Sequence, residues 1–92
     1  MAPPAIFVFI QAGCSACHDY MPKFERVRSR YPRTVVGVYD LAKPDRYVQR
    51  FAEVLNVRAT PTTVVQTSGG AQRHHEGSLP VAQIEQLFRS AV

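Results

Sequence analysis

Cys14 and Cys17 are the only cysteines in this 92-residue chain, and two residues separate them. They lie in Gln11-Ala12-Gly13-Cys14-Ser15-Ala16-Cys17-His18, between an apolar run and a helical pattern. A Cys-x-x-Cys pair at a strand-to-helix junction suits reversible dithiol–disulfide chemistry. A thiolate is the nucleophile in exchange, and the backbone N–H groups at a helix start stabilise it. The same letters with His18 also spell the Cys-x-x-Cys-His attachment signature of c-type haem. A third chemistry is zinc, with His74 and His75 joining the two cysteines. Adjacent residues on a strand point to opposite faces, so only one of those histidines easily ligates, and the spacing fits no standard zinc finger. A fourth possibility is a pair of buried, unreactive cysteines.

The elements on either side must position the pair. Ala5-Ile6-Phe7-Val8-Phe9-Ile10 is unbroken apolar sequence, which suits a strand covered on both faces. After Ser15 the helical period begins. Cys17, Met21, Phe24 and Val27 share one broad face, and Lys23, Arg26, Arg28 and Arg30 fall mostly off it. Pro22 inside this pattern is expected to kink the helix or split it after its first turn. Tyr31-Pro32 is expected to close it.

Thr34 to Asp40 reads as a second central strand, because it is β-branched and apolar. Lys43-Pro44-Asp45 precedes a helix whose stripe is Val48, Phe51, Ala52 and Leu55, with Asn56 as its stop. Residues 57–61 connect to a third strand over 62–67. Ser68-Gly69-Gly70 is a hairpin turn leading into a polar edge strand over 71–76. Gly77 to Pro80 opens a last helix with Val81, Ile84, Leu87 and Phe88 on its inner stripe. The order is β-α-β-α-β-β-α in one α/β domain over residues 1–92. Two successive βαβ steps predict parallel strands, and the hairpin adds antiparallel ones. The result is a four-stranded mixed sheet flanked by helices on both faces.

Composition bounds the rest. Hydrophobic residues make up 46% and charged residues 20%, as in a globular domain. No run is long enough to cross a membrane, and the N-terminus lacks a positive leader region, so a cytoplasmic protein is expected. Two cysteines in a reducing compartment point to redox or metal chemistry rather than a structural staple. The net charge is +4, without a Lys/Arg-rich block or a basic-aromatic array, so no nucleic-acid partner is expected.

Taken together, these features resemble the thioredoxin-fold superfamily at roughly glutaredoxin size. The dithiol opens a helix after the first strand, Pro22 lies where thioredoxin active-site helices kink, and Ala59-Thr60-Pro61-Thr62 precedes the third strand where the family carries a cis-proline. Gly77 precedes the last helix, as in many thioredoxins. The resemblance implies that Cys14 attacks a protein disulfide and Cys17 resolves the mixed disulfide. It implies that Thr60 and Pro61 pair with an extended substrate segment, with Gly13, Ser15 and Ala16 as the rim. It further implies a monomer without a bound cofactor, ribonucleotide reductase among the protein substrates, and a thioredoxin-reductase-like flavoprotein or glutathione as electron donor. The alternative within the fold is a non-catalytic protein-binding module. The chain departs from the family pattern at four places, one of them the absence of the Gly-Gly that glutaredoxins carry beyond the hairpin, since Gly69-Gly70 is the hairpin turn itself. Gly13 stands where most thioredoxins have Trp, Ser15-Ala16 replaces Gly-Pro, and Val8 stands where thioredoxins bury an Asp. His18 neighbours the pair, and Arg58 is a candidate for steering acidic substrates.

Overall fold

The computed structural model describes residues 3–91. Strand β1 (Ala5–Ile10) is followed by helix α1 (Ser15–Arg28), strand β2 (Val35–Asp40) and helix α2 (Arg46–Val54). Strands β3 (Thr62–Gln66) and β4 (Gln72–Glu76) form the hairpin, and helix α3 (Val81–Ala91) ends the described chain. The sheet order is β2-β1-β3-β4.

Alternation along β1 divides the molecule into two cores. Ile6 and Val8 point to one face, where Tyr20, Phe24 and Val27 of α1 and Ile84, Leu87 and Phe88 of α3 close over them. Phe9 points to the other, where it meets Val64 of β3 and Ala52 and Leu55 at the end of α2, with Phe7, Tyr39 and Phe51 packed around them. Ring pairs stitch both layers. Phe24 and Phe88 lie 5.4 Å apart between centroids, and Phe7 and Phe51 lie 5.1 Å apart, edge to face.

Helix ends follow the local chemistry. Asp45 caps α2 by accepting the N–H groups of Tyr47 (2.9 Å) and Val48 (3.2 Å). The helix stops at Asn56, whose φ of 59° is left-handed. The Val57 N–H then reaches back to the Ala52 carbonyl (2.9 Å) and the Asn56 N–H to the Glu53 carbonyl (3.0 Å). That pair of bonds is a Schellman closure, so Asn56 stops the helix as its sequence position suggests.

Three sequence expectations are corrected. First, β2 is an edge strand and not a central one. It pairs only with β1, and Val35 and Val38 remain 57% and 38% exposed. Its β-branched composition reads the same at an edge as in the middle of a sheet. Second, the βαβ pattern holds only once. β2 is parallel to β1, but β3 is antiparallel to it, pairing Ala5 with Gln66 and Phe9 with Thr62. The connector after α2 returns the chain to the end of the sheet where β1 stops, so β3 must run back from there. Third, Pro22 does not split α1, which runs as one helix from Ser15 to Arg28 and ends before Tyr31. Pro22 lacks an N–H, so the His18 carbonyl loses its usual helical donor, yet the turns on both sides hold.

Candidate active site

The end of the sheet where β1 and β2 finish and β3 begins gathers the residues that carry chemistry. Gly13, with a φ of +83°, makes the bend that turns the chain out of β1 toward α1. The Cys14 N–H closes that turn on the Gln11 carbonyl at 3.2 Å. Cys14 is itself the N-cap of α1, with extended backbone (φ −85°, ψ 110°). Its Sγ accepts the N–H of Cys17 at 3.1 Å, taking the place that a Ser or Asp oxygen holds in an ordinary cap. The sulfur that needs negative charge to act therefore receives a backbone donor and faces the positive end of the helix.

The second wall comes from far along the chain. The Cys14 Sγ lies 3.4 Å from the carbonyl oxygen of Thr60, 46 residues away. The Thr60–Pro61 peptide is cis. Pro61 is buried, its carbonyl accepts the N–H of Gly77 at 2.8 Å, and the Thr62 hydroxyl donates to the Ala59 carbonyl at 2.6 Å. These bonds fix the Ala59–Thr62 turn against the dithiol. In the reduced protein, a Cys14 thiol at this position donates to the Thr60 carbonyl. Once deprotonated, the sulfur keeps only the donors on its helix side.

Cys14 and Cys17 are joined in a disulfide across one helical turn. Cys14 is half-buried and Cys17 is 5% exposed. An incoming thiol or disulfide reaches Cys14, not Cys17. Gly13 and Ser15 are exposed and Ala16 is half-exposed, so the rim carries only small groups. His18 is exposed on α1 immediately after the pair. The structure thus brings Gly13, Cys14, Ser15, Ala16, Cys17, Thr60 and Pro61 to one end of the sheet. His74 and His75 do not join them. Both lie on β4 beyond β3, and the His74 Nε2 donates to the Leu55 carbonyl at 2.6 Å. Among the described residues no three His, Cys, Asp or Glu side chains gather as a metal site. Arg58 turns its Nε to the Asn56 side chain at 3.2 Å, on the α2 side.

Two features beneath and beside the dithiol escaped the sequence reading. Val8 pairs with Thr63 across the sheet, and the Thr63 hydroxyl lies 2.7 Å from the Tyr20 hydroxyl. Both residues are fully buried. Burial pushes the Tyr20 phenol above its ordinary value, against the opposing hydrogen bond to Thr63. Beside Val8 this chain therefore buries two hydroxyls that stay protonated at neutral pH. The signal was present: a Tyr three residues after Cys17, on the buried stripe, needs a partner for its O–H.

The other feature is a clamp between α1 and the turn before α3. Asp19 accepts from Ser78 Oγ at 2.6 Å and from Lys23 Nζ at 3.1 Å. The Ser78 hydrogen bond, then Lys23, hold its carboxyl below the ordinary carboxylate value. A depressed carboxylate contributes stability that is complete above its unfolded value and lost as pH falls through its folded value. The urea midpoint of Asp19→Asn is therefore expected to lie below that of the parent at pH 7, and the two are expected to converge as pH falls below the ordinary carboxylate range. A gap that persists at pH 2 contradicts the clamp.

No protein-family model matches the chain, and no curated protein does. Solved structures do. Chloroplastic thioredoxin z is 25% identical, with a TM-score of 0.74 over 97% of this chain and 78% of that one. The thioredoxin pre-protein of Schistosoma mansoni is 19% identical, with a TM-score of 0.77 over 98% and 80%. DsbF of MTB is 13% identical, with a TM-score of 0.81 over all of this chain and 83% of that one. With its mixed four-stranded sheet, a dithiol capping the helix after the first strand and a Thr-Pro turn facing it, the chain has the thioredoxin fold.

Proposed function

We propose that this chain is a thiol–disulfide oxidoreductase that reduces protein disulfides through Cys14 and Cys17. The observation that carries the reading is the placement of the Cys14 sulfur, capped by the Cys17 N–H on one side and facing the Thr60 carbonyl on the other. The Cys14 thiolate attacks one sulfur of the substrate disulfide, and the other substrate sulfur leaves as a thiolate and takes a proton. Cys17 loses its proton, attacks Cys14 Sγ and releases the second substrate thiol. The substrate gains two electrons and two protons, and the protein is left as the Cys14–Cys17 disulfide. An external dithiol or glutathione then returns the two electrons.

The small rim of Gly13, Ser15 and Ala16 suits a bulky protein substrate, and the backbone around Thr60 and Pro61 suits an extended segment lying across the dithiol. A cytoplasmic monomer, recharged by a flavoprotein reductase or by glutathione and serving enzymes such as ribonucleotide reductase, completes the reading. The family resemblance supports that part. Dithiothreitol-driven reduction of insulin, followed by precipitation of the free B chain, tests the activity. The protein is expected to bring precipitation forward well ahead of the dithiothreitol blank. A time course that superimposes on the blank refutes the proposal.

A further inference from the structure

On the side of the dithiol away from Thr60 lies a cleft of about 410 Å³ that the exchange chemistry does not use. Ile10, Ala12, Met21 and Pro22 supply apolar wall, Gln11, Cys17 and His18 line it as well, and Asp40 and Glu25 complete the lining. We propose that this cleft is a subsite for a lysine or arginine side chain of the disulfide-bearing protein, a reading that rests on the oxidoreductase function above.

Three observations converge on that occupant. The cleft opens at the carboxyl ends of the parallel strands β1 and β2, beyond Ile10 and Asp40, where α/β sheets take up their ligands. Its apolar wall suits a methylene stem and its two carboxylates suit a positive head, the two halves of an amphipathic cation. The carboxylates also have charge to spare in a chain of net charge +4. Asp40 accepts the Ala42 N–H at 2.9 Å and makes no ion pair among the described residues. Glu25 has only the exposed contact to Arg28 at 3.4 Å, an arrangement worth little. Asp19, Glu53 and Glu85 likewise have basic partners, whereas Asp40 has none among the described residues. An anionic side chain entering the cleft meets the unpaired Asp40 and the weakly paired Glu25, and a purely aliphatic one leaves Asp40 unanswered.

Disulfide-linked peptides that differ at one position test the subsite. Lysine, norleucine and glutamate are placed in turn at each of the three positions on either side of the cysteine, and kcat/KM for reduction is measured. Norleucine keeps the stem and removes the charge, so the lysine/norleucine ratio isolates the head group. At the position that reaches the cleft, that ratio is expected to be about three to five, with glutamate the poorest of the three. In the double variant Asp40→Asn, Glu25→Gln, the ratio is expected to collapse toward one. Asparagine keeps an acceptor for the Ala42 N–H, so the turn after β2 survives. A ratio near one at every position, or one that persists in the double variant, overturns the proposal.

A second measurement needs no turnover. A lysine peptide without cysteine, titrated onto the oxidised protein, is expected to shift the amide resonances of Met21 and Asp40 in the parent and not in the double variant. Shifts without any disulfide reduction would sink the redox reading and leave the cleft standing. Reduction without shifts or preference would sink the cleft alone.

Discussion

Cys14→Ser is expected to abolish disulfide reduction, with a loss on the order of a thousandfold or more, because the hydroxyl is a far weaker nucleophile and cannot form the mixed disulfide. Cys17 cannot take over. It is 5% exposed and lies behind the turn that presents Cys14. Cys17→Ser is expected to behave differently. The first attack is retained, and Cys14 stays linked to the substrate because nothing resolves the bond. Intact-mass analysis after mixing with a disulfide peptide separates the two: a stable adduct for Cys17→Ser and none for Cys14→Ser. The reverse pattern would exchange the roles of the two sulfurs and contradict the exposure and the capping seen here.

Phe24→Ala carries the largest expected effect on stability. Phe24 is fully buried between Tyr20, 5.7 Å away, and Phe88, 5.4 Å away, and it closes the space between α1 and α3 over β1. Truncating a buried Phe costs about 3–5 kcal/mol, through lost burial and the cavity that remains. A chain of this length has roughly 5–14 kcal/mol in total at the usual stability per residue. The variant therefore forfeits a large share of its margin, and its Tm is expected to fall by roughly 12–40 °C. A loss under about 1 kcal/mol in a urea titration would mean that the helices close over the gap and that this core is looser than its packing implies.

The residues of the candidate site were legible in the sequence because each is announced locally. A Cys pair after an apolar run, a Pro about two turns into a helix and a Thr-Pro before a β-branched run are short signals with definite backbone consequences. What was misread is set at long range. Val35 and Val38 have the same letters in a central strand as at an edge, and their place is decided by which strand lies beyond them. The direction of β3 depends on the path of residues 55–61, which no periodicity records. Pro22 removes one helical hydrogen bond, but packing of Tyr20, Phe24 and Val27 on the core outweighs the loss. Side-chain bonds between distant residues, Tyr20 with Thr63 and Asp19 with Ser78, leave only a weak trace in the letters. The cleft beside Cys17 leaves even less, since it exists only where β1, β2 and α1 meet.

The surroundings of the Cys14 sulfur come from one neighbour and one stranger in the sequence. The Cys17 N–H is three residues away and is in place as soon as α1 forms its first turn. The Thr60 carbonyl is 46 residues away and arrives only when β3 has found β1. Helix turns form early and cheaply, whereas pairing strands this distant carries the loop-closure cost that slows folding. The part of this site that depends on strand pairing therefore carries a larger closure cost than the part that depends on one helical turn.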